Sequence, residues 1–194
     1  MRHLLFVLAL LGFVACQNDK AAESTAQPQA AAVRASQHSA AFNQEFKTFL
    51  SAYYNLKESF VAENDTAIQA SALALKTLAD SLRFPDLAAP DSVLAQSKLF
   101  KESILADLKG LLGEKDREEK RKAFEMVSEQ VYGLAQAVQY DQEVVYRQFC
   151  PMAFNDKGAV WLSNVSDIRN PYLPKTMLHC GEVKDSLDAS QPAR

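Results

Sequence analysis

The sequence is poor in the side chains on which catalytic sites most often depend. Its 194 residues include three histidines, three cysteines and one tryptophan. Two of the histidines, His3 and His38, lie in N-terminal stretches that we do not expect to join the folded core, which leaves only His179. No combination of serine, histidine and aspartate suggests a nucleophilic centre, and one imidazole leaves little for acid/base chemistry. The composition therefore argues against an enzyme.

The chain also lacks an excess of charge of one sign. Lysine and arginine total 21 against 24 aspartates and glutamates, the net charge is −3, and the two signs are interleaved. Nothing in this pattern would attract nucleic acid or an anionic membrane surface. The densest charged run, residues 114–122, pairs Asp116 with Lys120 and Glu118 with Lys122 at four-residue spacing. That spacing predicts the solvated first turn of a helix.

No apolar run is long enough to cross a bilayer. Residues 4–14 are apolar, follow a basic start and have the length of a signal-peptide core. A small residue and then Cys16 follow, which resembles the lipobox of bacterial lipoproteins. The resemblance implies a signal peptide over residues 1–15 and a lipidated Cys16 that alone holds the protein in the envelope of a Gram-negative bacterium, periplasm-facing or outer-membrane associated. Because Phe13 stands where the lipobox usually carries leucine, ordinary secretion and an uncleaved anchor remain alternatives.

The rest of the chain divides by composition. Residues 16–38 are rich in alanine, glutamine and serine and nearly free of large apolar side chains. Such a segment cannot bury enough surface to offset its ordering entropy, so we interpret it as a flexible tether. Residues 39–187 are long enough for a single domain with a core. The polar residues 188–194 are expected to form a disordered tail.

The first part of this domain, residues 39–140, has the pattern of four amphipathic helices. Ser39, Asp65 and Asp91 are candidate N-caps of the first three helices. Gly113 is expected to end the third, and the fourth spans about residues 116–139. Apolar residues recur on one face of each helix at three- and four-residue steps. On the first helix they are mostly aromatic, which we interpret as core packing: Phe42, Phe46, Phe49, Tyr53, Leu56 and Phe60. The fold predicted is mainly α, an antiparallel four-helix bundle.

Residues 141–187 have a different texture and predict a small C-terminal module with short β-strands. Residues 143–149 are rich in valine and tyrosine and lead directly into Cys150. Residues 155–158 give a turn signal, and residues 159–162 form a candidate returning strand. Asn170-Pro171 disfavours further helix. Residues 175–183 are expected to be extended.

Soft ligands are concentrated in this module, in two clusters. Thiolate, thioether and imidazole donors together suit copper(I) better than zinc, calcium or magnesium. The candidate metal ligands are Cys150, Met152, Met177, His179 and Cys180. In an extended segment Met177 and His179 would face away from Cys180, so the pattern reduces to one cysteine pair with three optional neighbours. Trp161 is a candidate cation-π neighbour of a bound ion, with a core anchor as the plainer alternative.

The same two cysteines admit a different interpretation. If Cys16 carries lipid, an even pair remains in an oxidising compartment, where a disulfide is expected. A Cys150–Cys180 bridge would close a loop of about 30 residues and contribute roughly 3 kcal/mol on the chain-entropy model. Free thiols are the third alternative. The residues by themselves leave disulfide, metal ligands and free thiols open.

Four blocks of the C-terminal module are similar to a known family. They are residues 149–154 (Phe-Cys-Pro-Met-Ala-Phe), 157–163 (Lys-Gly-Ala-Val-Trp-Leu-Ser), 168–172 (Ile-Arg-Asn-Pro-Tyr) and 177–181 (Met-Leu-His-Cys-Gly). Together they resemble the domain of unknown function 3347, which the helical part matches more loosely through residues 53–57 and 121–128. Residues 173–175 depart from the family pattern, which commonly has an aromatic residue and a glycine there.

The resemblance implies a lipoprotein or periplasmic domain of Bacteroidetes-type bacteria, also found fused to periplasmic adaptor subunits of heavy-metal efflux pumps. It favours a lipid-anchored protein that binds copper(I) in metal handling or efflux, with efflux components as partners. The alternative is a non-catalytic structural or interaction lipoprotein with a Cys150–Cys180 disulfide.

Overall fold

The computed structural model describes residues 36–84, 87 and 89–188. The predicted signal peptide, Cys16, most of the tether and residues 189–194 of the predicted tail lie outside the described residues. Within the described part, none of the helices combines the length and the apolar character needed to cross a membrane.

Four long helices confirm the predicted bundle. They are α1 (Ala40–Val61), α2 (Asp65–Ser81), α3 (Asp91–Gly113) and α4 (Arg117–Ala137). Ser39 caps α1 as predicted, because its hydroxyl accepts the Phe42 N–H at 3.1 Å. Asp116 caps α4 by accepting the N–H groups of Glu118 and Glu119. The third helix ends at Gly113, also as predicted.

The predicted caps of the second and third helices were wrong by one residue. Asn64, not Asp65, caps α2, and its side-chain oxygen accepts the Ala67 N–H at 3.0 Å. The residue before α3 is Pro90, which makes no side-chain cap, and Asp91 is the first helical residue. Both aspartates still lie in a first turn, where a negative charge is favourable beside the positive end of the helix dipole.

The helices pack in chain order, α1 on α2, α2 on α3 and α3 on α4. Side chains of α1 and α4 also meet, with the rings of Tyr53 and Phe124 stacked at 5.5 Å. All six apolar residues predicted for the first helix are buried in this core. Three-residue links between α1 and α2 and between α3 and α4 make those neighbours antiparallel.

A three-stranded antiparallel sheet follows the bundle, with strand order β2-β1-β3. Its strands are β1 (Val145–Cys150), β2 (Ala159–Ser163) and β3 (Glu182–Leu187). The first two match the predicted strands closely. The turn between them is a short helical segment, Ala153–Asp156, in which Phe154, Asn155 and Asp156 all have positive φ.

The extended segment predicted for residues 175–183 was wrong. The Met177 N–H donates to the Leu173 carbonyl at 2.8 Å, and the Cys180 N–H donates to the Met177 carbonyl at 3.0 Å. These bonds fold the chain into turns, and β3 begins only at Glu182. The strand-alternation argument about Met177, His179 and Cys180 therefore does not apply, because the segment is not a strand there.

The sheet is held to the bundle through β2, which packs on α4 and α1. The Leu162 N–H donates to the hydroxyl of Tyr53 at 3.0 Å, and that hydroxyl also bonds the hydroxyl of Ser128 at 2.7 Å. Tyr53 is fully buried. One phenol group thus joins α1, α4 and the outer edge of the sheet.

Replacement of Tyr53 by phenylalanine is expected to lower the free energy of unfolding by about 1–3 kcal/mol, because it leaves the buried N–H of Leu162 without its acceptor and removes the hydrogen bond to Ser128. Urea unfolding would measure the change. Tyr54→Phe is the matched control, since this neighbouring hydroxyl lies beside Glu143. Equal losses in the two variants would contradict a special role for Tyr53.

Candidate functional site

The structure brings the two predicted cysteines together. Cys150 is the last residue of β1, where it pairs with Ala159 of β2 and is fully buried. Cys180 lies in the loop of residues 164–181, two residues before β3, and is half-buried. Both are free thiols, and their Sγ atoms lie 3.3 Å apart. Two chain segments that are distant in sequence thus present one dithiol.

This separation is a contact between two thiols, one donating its proton to the other sulfur. A disulfide requires about 2.05 Å, and two thiolates sharing a metal at about 2.3 Å from each lie roughly 3.5 to 4 Å apart. The hydrogen bond with Cys150 is the main reason why the pKa of the Cys180 thiol is raised, and burial adds to it. A thiol with a raised pKa is a weak nucleophile at neutral pH, and a metal that binds it must displace its proton.

The two predicted methionine ligands lie on the same segments as the cysteines but differ in exposure. Met152 follows β1 and is 44% exposed, so its thioether lies at the surface and not in core packing. It lines an open cleft of about 590 Å³ with charged side chains that include Glu118 and Lys157. Met177 is half-buried in the turn before Cys180. Two thioethers therefore lie on the segments that carry the cysteines.

His179 is exposed, and its Nδ1 lies 3.0 Å from the Ile168 carbonyl oxygen. A carbonyl can only accept, so Nδ1 carries the proton and Nε2 of the neutral ring has a free lone pair. Histidines that ligate metals usually hold their second nitrogen in this way. However, among residues 36–84, 87 and 89–188, no three or more His, Cys, Asp or Glu side chains cluster so as to hold a metal. The structure therefore does not group His179 with the cysteine pair.

Trp161 is fully buried on β2, with its ring 6.0 Å from that of Tyr172. Its indole N–H has no hydrogen-bond partner in the described part of the chain. A Cβ added to Gly181, the residue after Cys180, would lie 2.9 Å from the indole ring. Trp161 is thus a core residue packed against the cysteine loop, and its proposed contact with a cation stays a prediction.

Two buried amides hold this loop, and sequence reasoning missed both. The Gln148 Nε2 donates to the carbonyls of Val165, Ser166 and Asp167 at 3.0 to 3.2 Å. The Asn170 Nδ2 donates to the Cys180 carbonyl at 3.1 Å. The available signal was Asn170-Pro171, which was interpreted only as a helix breaker.

Arg121 was also missed, because the charge run of residues 114–122 was predicted to be solvated. That prediction was wrong for Lys120 and Arg121, which are only 7% and 6% exposed. Arg121 donates to the Pro171 carbonyl at 3.2 Å and to the Glu63 carboxylate at 2.9 Å. It therefore ties the cysteine loop to the turn between α1 and α2.

The predicted four-residue pairs of this run do not form either. Glu118 bonds Arg121, and Glu119 bonds Lys122 at 2.7 Å, both at three-residue spacing. Asp116 is occupied as the cap of α4. The Glu63 carboxylate also binds Lys175 at 2.5 Å. This hydrogen bond is the main reason why the pKa of Glu63 is lowered.

Comparison with known proteins gives one finding. Residues 49–143 match the family described as "Protein of unknown function (DUF3347)". No curated protein and no solved structure matches the chain. The matched segment runs from α1 to just before β1, so it covers the helical part, whose resemblance was the looser one, and stops short of both cysteines. Over residues 49–143 the chain matches the DUF3347 family, which confirms the resemblance that its sequence predicted.

Proposed function

We propose that this protein binds a soft metal ion, copper(I), through the thiolates of Cys150 and Cys180. The observation that carries the proposal is the pair of unbonded sulfurs 3.3 Å apart, one buried and one half-exposed. Two thiolates are donors that copper(I) prefers, and this ion accepts few ligands. An outward movement of roughly 0.2 to 0.7 Å would bring the sulfurs to the spacing of a shared metal.

A third donor would come from Met152, Met177 or His179. Zinc sites in proteins are almost always four-coordinate, with Cys, His or carboxylate ligands. The described residues offer no cluster of three such groups, so the dithiol fits copper(I) better than zinc. Met152 and Met177 flank the cysteines in sequence, and His179 has the tautomer that leaves Nε2 available. The metal would supply no reaction here, because the proposed role is to buffer or pass on the ion.

The cellular setting is part of the same proposal. Lipidation at Cys16, in the chain's N-terminal segment outside the described residues, would anchor the protein in the envelope of a Gram-negative bacterium without a spanning helix. Heavy-metal efflux components are the proposed partners, on the family resemblance alone. We propose no catalytic activity and no nucleic-acid partner.

A second function is favoured by the same distance. Moving the sulfurs inward by about 1.2 Å would allow a disulfide, which would make this a structural or interaction lipoprotein. The loop of residues 164–181 would then be held covalently to β1. In that case the bundle, not the cysteines, would bind the partner.

Copper(I) titration against a competing chelator tests the proposal. The chain should carry Cys16→Ser, so that Cys150 and Cys180 are its only thiols. We expect one tightly bound ion in reduced protein and a loss of at least a thousandfold in affinity in Cys150→Ser/Cys180→Ser, because both soft thiolates are removed. Met126→Leu is the matched control, since this exposed methionine lies on α4.

Equal copper(I) affinity in the parent and the double-serine chain would refute the proposal. Intact mass of freshly purified protein, with and without alkylation, distinguishes the second function. Two alkylated thiols agree with the metal site, and none without prior reduction indicates the disulfide.

A further inference from the structure

The position of Cys180 depends on a loop with little regular structure. Residues 164–181 connect β2 to β3 and form no strand of their own. Cys180 lies near the end of this loop, whereas Cys150 is fixed at the end of the central strand β1 by its pairing with Ala159 of β2. The distance between the two sulfurs is therefore set by whatever holds the end of the loop.

Asn170 makes that connection. Its side-chain oxygen accepts the N–H groups of Tyr172 at 2.8 Å and Leu173 at 3.2 Å, and its Nδ2 donates to the Cys180 carbonyl at 3.1 Å. Its backbone N–H donates to the Leu178 carbonyl at 2.8 Å. The side chain is fully buried. One residue thus connects the Pro171–Leu173 turn to the backbone of Cys180 by hydrogen bonds.

We propose that Asn170 is the positioning residue of the dithiol, which holds Cys180 against Cys150. This inference rests on the proposed function only in that the two cysteines act as one ligand unit. The backbone N–H of Cys180 is already bonded to Met177, so the Asn170 amide secures the other polar group of the same residue. With both groups held, the Sγ of Cys180 is pre-organised beside its partner and less ordering entropy is lost when the pair reacts or binds.

The chemistry of the side chain explains why asparagine stands here. The site needs one acceptor for two N–H groups and one donor for a carbonyl, at opposite ends of a short side chain. Only an amide offers both in a neutral group of this size. Serine can still accept from the backbone two or three residues on, but it is too short to reach the Cys180 carbonyl as well.

Asn170→Ser therefore keeps an acceptor for the turn but removes the hydrogen bond to the Cys180 carbonyl. Gln148→Met is the matched control, because Gln148 is also a fully buried amide and bonds residues 165–167 of the same loop. Asn170→Asp is the second variant, since it keeps the acceptor for Tyr172 and Leu173 but replaces the Nδ2 donor by an oxygen. All chains carry Cys16→Ser.

The readout is the equilibrium of the dithiol with glutathione. Oxidised glutathione accepts two electrons from the dithiol. The Cys150–Cys180 disulfide forms, the disulfide of glutathione breaks, and the two thiol protons pass to the two reduced glutathione molecules. The effective concentration of one thiol for the other follows from this equilibrium. Urea unfolding of each reduced variant reports its stability separately.

We expect Asn170→Ser to lower the effective concentration by roughly fivefold to tenfold, the worth of about one hydrogen bond, and Asn170→Asp to lower it further. Gln148→Met should change it by less than about twofold while still reducing stability. Unchanged values in both Asn170 variants, or equal falls in Asn170→Ser and Gln148→Met, would overturn the assignment.

Copper(I) titration of the same variants keeps this inference distinct from the proposed function. If copper(I) fails to bind the parent chain while Asn170→Ser still weakens the glutathione equilibrium, the metal function is refuted and the positioning role stands. If copper(I) binds with equal affinity to the parent and Asn170→Ser, and their glutathione equilibria agree, the metal function stands and the positioning role is overturned.

Discussion

Replacement of Arg121 by alanine is expected to destabilise the protein by about 3 kcal/mol, because it removes a buried cation from a largely buried carboxylate and the donor from a buried carbonyl. Arg121 bonds Glu63, Glu118 and the Pro171 carbonyl. Its side chain is 7% exposed and that of Glu63 is 14% exposed. Removing the guanidinium therefore leaves the buried Pro171 carbonyl without its donor and takes one of the cations away from the Glu63 carboxylate, which keeps Lys175.

The reduced protein is the material for this measurement, with urea unfolding as the readout. Arg117→Ala is the matched control, because Arg117 lies one turn earlier on α4 and pairs mainly with Asp65, a 57% exposed carboxylate. An exposed pair of this kind contributes about 0–1 kcal/mol. If Arg121→Ala lowers the free energy of unfolding by no more than Arg117→Ala does, Arg121 does not stabilise the contact between the loop and the bundle.

The backbone of Glu63 is strained, and the ion pairs of its side chain compensate for that strain. It is not a glycine, yet its φ is +51°, in the left-handed region that costs roughly 1–2 kcal/mol. That conformation carries its carboxylate to Arg121 and Lys175. The ion pairs offset the strain, and they connect the turn after α1 to the segment that carries Cys180.

Copper(I) affinity is expected to fall as the pH is lowered, by up to about a hundredfold per pH unit, because two thiol protons compete with the metal. The pKa of Cys180 is raised above its ordinary value of 9.0, chiefly by the hydrogen bond with Cys150. A group with a raised pKa keeps its proton throughout the neutral range. The metal must therefore displace that proton at every pH from 6 to 8, and the competition weakens only as the pH rises.

Competition with a copper(I) chelator at several pH values between 6 and 8 measures this slope, with the chelator's own protonation taken into account. Cys150→Ser should bind more weakly and show about half the slope, because one proton is displaced instead of two. A flat profile in the parent chain would mean that thiols do not bind the ion. It would count against the metal site even if copper(I) bound elsewhere.

Local patterns were enough to predict most of the bundle. An aromatic residue every three or four positions along α1 can only form one face, and that face is buried from Phe42 to Phe60. The errors at the helix starts have a simple cause. Asn64 and Asp65 are adjacent and both can cap, so the choice depends on which residue the turn leaves outside the helix.

Long-range partners were beyond such patterns. The predicted strand over residues 175–183 failed because Asn170 and Leu173 bond backbone groups of that segment and fold it into turns. Arg121 looked solvated because charged residues surround it in sequence. Its burial follows from Glu63 and Pro171, each at least 50 residues away along the chain.

The sequence by itself determined the fold class, showed the resemblance to the family and marked the two cysteines as candidate ligands, since apolar periodicity and residue type are local properties. Only the tertiary structure decided that their sulfurs meet at 3.3 Å, that Trp161 packs against Gly181 beside Cys180 and that Asn170 holds the loop that carries Cys180. The physical reason is that hydrogen bonds across the sheet and loop join residues whose spacing in the chain carries no pattern. The distance between the two sulfurs is set by the residues that hold their backbone segments, and not by the cysteine side chains themselves.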